Sequence, residues 1–428
     1  MRQPNTEDLD PRLRRTACRV AQRLADAGFR AWLVGGAVRD LALERTPQEI
    51  DMVSDARPEQ VEELFERSIP VGRAFGILLL IVEGCEIELA TLRTEGNYSD
   101  ARRPDEVFYG SSVEEDAARR DFTLNALYLD PLTDELSDPT GGLEDLRQGI
   151  LRTVGDPEQR FAEDGLRLLR MARFQAALGL ELAPGMEQAA QRSAHALRGV
   201  SVERVQHELA RIFRGPRCTQ ALRTLDRARL LERALPDWAR ASAVPLASRL
   251  SALEALPSPP GELAGWAVLL ESRPRGVLDE RRVMEDVARA RALRLSRRML
   301  KALEKVWRLR RTVIPLARPG APRSERVLAL RDEGWELGLG LALAWAQVGS
   351  ESTRELEHLR SWRAGLSLEV LRPEALIDAT DLEHADIPRG PLWGRLLDET
   401  ERLQLDGLLG SRGEALAWLA RRAKVLET

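Results

Sequence analysis

The chain has 428 residues, more than one hydrophobic core usually serves, so roughly two to four domains are expected. Its composition is globular, 43% hydrophobic and 31% charged, with no low-complexity tract. Net charge is −4, and Cys18, Cys85 and Cys218 are isolated thiols, which argues against a disulfide framework or a zinc site and suits a reducing cytoplasm.

Taken in chain order, residues 12–28 read as an amphipathic helix, with Leu13, Val20, Ala21 and Leu24 on one side and Gly28 at its end. AWLVGG is a short strand closed by Gly35 and Gly36, and AVRDLALER is the helix leaving it. QEIDMVS is a second strand, and PEQVEELFER a helix started by Pro58. GILLLIV and CEIELATLR are two strands across a Glu83–Gly84 turn, and DFTLNALYLD reads as a helix or a strand. From Asp156 onward strand signals nearly vanish. DGLRLLRMARFQAALG is a periodic helix stopped by Gly179, and SVERVQHELARIF a helix with Ser201 at its N-cap. LPSPPGE reads as a linker, residues 291–311 as a long basic helix or helix pair, and RPGAPRSE as another break. An α+β head with a mixed sheet and helices, residues 1–150, is therefore expected ahead of an all-helical remainder.

Charge divides the same way. Residues 1–155 carry 19 Arg and no Lys against 30 Asp and Glu, a balance of −11 that leaves +7 for the rest. The basic remainder, residues 291–311 included, is expected to carry phosphate contacts to nucleic acid. The charged start, MRQPNTEDLDPRLRRTA, predicts no signal peptide. The most apolar runs, Ile77–Val82 and Leu337–Val348, are too short to span a bilayer, so a soluble protein is expected.

The chemistry is concentrated in a few short stretches. On a strand, Glu49 and Asp51 share a face about 7 Å apart and repel unless a cation lies between them. Mg²⁺ takes carboxylate oxygens together with substrate phosphates, and Gly35 and Gly36 let a triphosphate approach backbone N–H groups. A solvated strand face beside a glycine-rich turn is the plainer reading. Glu86 and Glu88 form a second same-face pair, and a third carboxylate would complete a two-metal site for phosphoryl transfer. Arg119 and Arg120 are either salt-bridge partners or phosphate clamps, with Asp121 and Asn125 able to bond a ribose hydroxyl. Asp164 and Arg167 are spaced i, i+3 on a helix. They are either a surface ion pair or a reader of the base edge. A carboxylate accepting from an amino group beside a guanidinium donating to a ring nitrogen selects adenine and cytosine together.

LVGGAVRDLALERTPQEID, ELATLRTEGNYSDARRPDEV, RRDFTLNAL, DPTGGLEDL, EDGLRLLRMARF and SVERVQHEL stand in an order and spacing that resemble the bacterial-type tRNA nucleotidyltransferase and poly(A) polymerase family, over residues 30–215. The resemblance implies a polymerase-β-like nucleotidyltransferase head followed by all-α neck (151–235), body (236–350) and tail (351–428) domains. It implies Glu49 and Asp51 as Mg²⁺ ligands and Glu88 as the third catalytic carboxylate. Gly35, Gly36, Arg39, Arg119, Arg120, Asp121 and Asn125 would bind the nucleotide. Asp164 and Arg167 would read the base with support from Glu163 and Arg170, while Glu203, Arg204 and Glu208 brace that helix. Asp138, Gly141, Gly142 and Asp145 would form a hinge-like link between head and neck. Thr94–Arg103 would be the flexible loop that helps switch from C to A addition. Implied partners are the tRNA 3′ acceptor end with ATP or CTP, no membrane is involved, and a monomer is expected.

Glu49 departs from the family pattern, which has Asp there, and its extra methylene moves the oxygens by roughly 1 Å. The C-terminal stretch DATDLEHADIPRGPLWGRLL resembles tRNA-maturing members, with Gly390, Pro391 and Gly394 in a turn before a helix, whereas Val71–Gly76 half-matches a poly(A) polymerase signature. The expected activity is template-independent, Mg²⁺-dependent nucleotide addition to tRNA 3′ ends. A poly(A) polymerase and an inactive RNA-binding relative are the alternatives.

Overall fold

A computed structural model describes residues 3–72, 76–95, 107–109, 112–235, 244–272 and 279–426. The chain divides into two compact units, Met1–Ala239 and Arg240–Thr428.

In the first unit, helix α1 (Pro11–Asp26) starts where Asp10 accepts from the N–H groups of Arg12 and Leu13, and it buries Ala17, Val20, Ala21 and Leu24. Seven strands form one mixed sheet: β1 (Ala31–Val34), β2 (Asp51–Ser54), β3 (Ser68–Gly72), β4 (Ile77–Val82), β5 (Cys85–Thr91), β8 (Tyr128–Leu129) and β9 (Leu136–Ser137). Their order is β3-β4-β5-β2-β1-β8-β9. β2 and β5 pair in parallel, and the other neighbours are antiparallel. β6 (Arg93–Glu95) and β7 (Val107–Tyr109) pair separately. Helices α2 (Gly36–Ala42) and α3 (Pro58–Leu64) follow β1 and β2. The expected mixed sheet with helices is present.

β3 carried no strand signal because SIPVG contains proline. At a sheet edge the missing N–H costs no ladder bond, and the register shifts between Pro70 and Gly72. QEIDMVS is a strand only from Asp51, so Glu49 lies just ahead of β2 rather than on its face. DFTLNALYLD is neither one helix nor one strand: a 3-10 turn at Thr123–Asn125 precedes β8. Most of Thr94–Arg103 and half of Val71–Gly76 lie outside the described residues.

Helix α4 (Val113–Ala118) is capped by Ser112, and α5 (Gly142–Gln148) by Asp138, whose two oxygens accept from the N–H groups of Gly142 and Leu143 at 2.8 and 2.9 Å. Gly142 must stay glycine, since a Cβ there would lie 2.2 Å from the Thr123 carbonyl oxygen. Helices α6 (Pro157–Glu163), α7 (Leu166–Leu178), α8 (Met186–Arg192), α9 (Val202–Phe213), α10 (Cys218–Arg227) and α11 (Leu230–Ala234) complete the unit. Two residues at Glu181–Leu182 pair with Ile150–Leu151 amid these helices. Ser201 occupies the N-cap position of α9 but makes no side-chain cap bond.

The second unit is helical throughout its described residues, from Leu246–Glu254 to Arg412–Leu426. LPSPPGE is a short connection inside this unit, between Leu246–Glu254 and Gly261–Leu270, and its Leu256 is buried. The basic stretch 291–311 is a helix pair: Glu280–Ala292 ends, and Arg297–Ala317 begins behind a Ser296 cap. Arg310 and Arg311 are not on the surface as expected. Both are buried against Glu271, Arg310 at 2.5 Å and Arg311 at 3.3 Å. Among the described residues no helix is long and apolar enough to cross a membrane.

Candidate active site

Gly35 ends β1 with φ +68°, a left-handed conformation that glycine adopts without strain, and it forms the N-cap of α2. A Cβ there would sit 3.7 Å from Nη1 of Arg120, so that guanidinium lies against the turn. Arg39, one turn into α2, lies 3.6 Å from the same construction at Gly36.

Sheet register brings the acidic residues alongside. Asp51 pairs with Val34 on one side and with Glu88 on the other. Asp51 is exposed at the start of β2 but its carboxyl is partly enclosed and pushed up to about 6. Partial burial contributes most, then the charges of Glu88 and Glu49, with Arg120 opposing them. Glu49, Asp51 and Glu88 therefore share one electrostatic site despite the position of Glu49 outside β2. Glu86 is exposed two residues down β5 and does not contribute to the Asp51 shift.

Among the described residues, no three His, Cys, Asp or Glu side chains stand ready-grouped around a metal position. The donor set still fits a hard divalent cation, because it consists of carboxylates whose mutual repulsion is visible in the raised Asp51.

The arginine pair is organised by a residue that the sequence did not single out. Asp116 is fully buried on α4 and accepts from Arg119 Nε at 2.9 Å, Arg120 Nε at 2.9 Å and the Tyr128 hydroxyl at 2.7 Å. Burial raises its pKa, but Arg120 and Arg119 outweigh this and hold it at about 2. Arg120 also donates to the Asn125 carbonyl at 3.2 Å and faces the Tyr128 ring at 5.2 Å. The only sequence signal was spacing: Asp116 stands three and four residues ahead of Arg119 and Arg120 in EEDAARR.

Asp121 and Asn125, expected at a ribose, are buried and bonded to each other at 3.1 Å. Asp121 also accepts from the Phe122 N–H and from Arg170 Nε at 2.6 Å. Burial opposes its ionisation most, but Arg170, the Asn125 hydrogen bond and the Arg167 charge together outweigh it, so its pKa is lowered.

Asp164 is not on a helix face with Arg167. It ends α6 in extended conformation, and α7 begins at Leu166. The intervening Gly165 presses on the 3-10 turn at Ser193–Gly199, where a Cβ would lie 2.3 Å from the Ala196 oxygen. The break takes Asp164 off the helix that carries Arg167. Asp164 accepts from the Leu166 N–H at 2.9 Å and from Arg204 at 2.8 Å. Arg167 is buried and donates to Glu163 at 2.6 Å, to the Arg160 carbonyl at 3.0 Å and to the Arg119 carbonyl at 3.1 Å. The surface ion pair between them does not form. Glu208 on α9 pairs with Arg173 on α7, at 2.9 Å.

A family model described as "Poly A polymerase head domain" matches residues 31–152, and one described as "Probable RNA and SrmB- binding site of polymerase A" matches residues 179–242. The CCA-adding enzyme of Bacillus subtilis (strain 168) is 44% identical over 213 residues, 50% of this chain and 53% of that protein. In this and other such alignments the chain spans about half the length of the curated relatives it matches. The CCA-adding enzyme of Geobacillus stearothermophilus aligns almost end to end, 33% identical over 411 residues, 95% of this chain and 97% of that protein. The crystal structure of the Bacillus stearothermophilus CCA-adding enzyme in complex with CTP superposes at a TM-score of 0.71 with 30% identity, covering 98% of this chain and 99% of that one.

Proposed function

Because the chain belongs to the CCA-adding enzyme family, template-independent tRNA nucleotidyltransferases, we propose that it extends the tRNA 3′ end with A, or with C and A, from ATP and CTP. The observation that carries this reading is the sheet register that sets Asp51 opposite Glu88 beside the Gly35–Gly36 turn. The tRNA 3′-hydroxyl attacks the α-phosphorus, a new phosphodiester bond forms, and pyrophosphate leaves with the electrons of the broken bond. Mg²⁺ would be held by Glu49 and Asp51, with Glu88 as third carboxylate, and when bound it neutralises triphosphate charge and acidifies the attacking hydroxyl.

The chain's own groups do the rest. Backbone N–H groups at Gly35 and Gly36 receive the phosphates, with Arg39, Arg119 and Arg120 beside them. Asp116 and Tyr128 hold Arg120 in place from behind. Asp121 and Asn125 order the ribose side of the site and anchor Arg170 and Arg39. Asp164 accepts from the exocyclic amine of adenine or cytosine, and Arg167 donates to the neighbouring ring nitrogen. Guanine and uracil offer the reverse pattern and are refused.

On this reading the chain divides into head (1–150), neck (151–235), body (236–350) and tail (351–428), with RNA held by the body and tail. It acts as a monomer in the cytoplasm, a compartment that its free thiols Cys18, Cys85 and Cys218 suit. The test is nucleotide incorporation on three acceptors: tRNA lacking only the terminal A, tRNA lacking CCA, and an unstructured RNA. Extension of either tRNA but not of the unstructured RNA is expected. Equal extension of the unstructured RNA would make the protein a poly(A) polymerase, and no extension of any acceptor would overturn the reading.

A further inference from the structure

Phe174, on α7, closes a circuit that links the helix behind the glycine turn to the helix behind the base reader. Arg39 on α2 donates Nη1–H to Asn125 Oδ1 at 3.1 Å, and Asn125 Nδ2 donates to Asp121 Oδ1 at 3.1 Å. Arg170 on α7 donates to the other Asp121 oxygen at 2.6 Å. The two ends of this chain meet again on one ring, with the Arg39 and Arg170 guanidinium carbons 5.6 and 5.7 Å from the Phe174 centroid. Arg173 lies over the same ring at 4.2 Å. Phe122, next to Asp121, packs edge-on against it with centroids 5.4 Å apart.

Each of the three guanidiniums has a carboxylate partner, Arg39 with Asp40 at 2.8 Å, Arg170 with Asp121 at 2.5 Å and Arg173 with Glu208 at 2.9 Å, and what the three share is the ring. The negative face of an aromatic ring attracts each of them, which an aliphatic side chain of similar size cannot do. The ring is therefore more than core filler, although Phe174 is buried. It lies under arginines from both α2 and α7.

We propose that Phe174 is a positioning residue for nucleotide selection, acting through Arg39 and Arg170 to hold the phosphate-binding turn and the base-reading segment at one separation. The inference rests on the nucleotidyl-transfer reading above. Without the ring, α7 shifts against α2, and a base with the wrong edge is accommodated at less cost.

The experiment is single-nucleotide incorporation of ATP, CTP, UTP and GTP on a tRNA primer by four full-length proteins: wild type, Phe174→Leu, Phe174→Tyr and Arg167→Ala. For Phe174→Leu, the kcat/KM preference for ATP over UTP is expected to fall about twofold to thirtyfold, with KM for ATP rising more than kcat falls. Phe174→Tyr, which keeps the ring face, is expected to restore the preference. A purely structural residue would lower the melting temperature and the active fraction while leaving the ratio alone. An unchanged ratio in Phe174→Leu, or no rescue by Tyr, overturns the proposal. Phe174→Met replaces Leu if the Leu protein does not fold, and failure of both to fold also overturns it. Collapse of the underlying reading looks different: the wild type fails to incorporate, or Arg167→Ala leaves the preference intact. An altered Arg167→Ala beside an unchanged Phe174→Leu sinks the Phe174 inference alone.

Discussion

In the first unit Asp116 is fully buried between Arg119 and Arg120, whose side chains remain 16% and 17% exposed. In the second, Glu271 is fully buried, and so are its partners Arg310 and Arg311. Asp286 joins the second cluster, bridging Arg289 and Arg311, while Arg249 donates to the carbonyls of Val268 and Leu269 at the end of Gly261–Leu270. The pairing chemistry is the same and the electrostatic outcome is opposite. Burial pushes Asp116 up, but the two arginines and the Tyr128 hydroxyl pull it down to about 2. Burial pushes Glu271 up by more than Arg310 and Arg311 pull it down. A carboxylate whose cations keep contact with solvent leaves their charge facing outward. One sealed in with its cations holds helices together, and removing a single partner strands an unpaired charge.

The largest expected effect tests whether the first unit carries the chemistry. Asp51→Ala is expected to reduce nucleotide incorporation to background while tRNA affinity, measured by filter binding, stays within about twofold. The same residue has a pH signature. Its folded-state carboxyl titrates near 6 against an ordinary 3.8, so ionised Asp51 costs stability above about pH 6, and the cost disappears as pH falls toward 4. Without divalent cations, the melting temperature of wild type relative to Asp51→Asn should therefore rise between pH 7 and pH 4. A flat difference would remove the shared carboxylate site.

Next comes the sealed cluster. Glu271→Gln leaves Arg310 without its carboxylate and Arg311 with Asp286 alone, and should cost about 3–5 kcal/mol, read by denaturant unfolding. Nucleotide preference should not change. If preference shifts and stability does not, the division between the two clusters is wrong.

Arg167→Ala is expected to do the reverse. Glu163 keeps Arg160 as an ion-pair partner at 3.1 Å, but the Arg160 and Arg119 carbonyls lose a donor, so a stability loss of about 1–3 kcal/mol is expected, below that of Glu271→Gln. The preference for ATP over UTP and GTP should fall about tenfold to a hundredfold, the worth of a buried hydrogen bond to a charged group. An unchanged preference in four-nucleotide incorporation assays would return Arg167 to a structural role. Glu49→Asp is the smallest change: incorporation should stay equal or rise a few fold, because the shorter side chain restores the family's usual acid. A large loss would show that the Glu49 carboxylate is placed for its own length.

Local pattern was enough for much of the first unit. Gly35–Gly36 behind an apolar strand, the alternation in CEIELATLR and the helix of DGLRLLRMARFQAALG each depend on neighbours two to four residues away, and each was legible for that reason. The edge strand at Ser68–Gly72 was not, because a proline is tolerated there only when no partner strand lies on its outer side.

Residue types brought Asp51, Glu86, Glu88, Arg119 and Arg120 forward with plainer readings still open, and the family resemblance was what preferred Glu88 and made the arginines nucleotide ligands. Which groups share a charge field was decided by the sheet, where the parallel β2–β5 register sets Asp51 opposite Glu88 although 37 positions separate them in the chain. Tertiary packing likewise broke the helix at Asp164, since Gly165 alone fits against Ala196. It also turned Arg310 and Arg311 inward from a stretch that reads as basic surface, and brought Arg39, Arg170 and Arg173 onto Phe174. A sequence states which charges exist. Burial and distance decide whether two of them meet, and both depend on segments far apart in the chain.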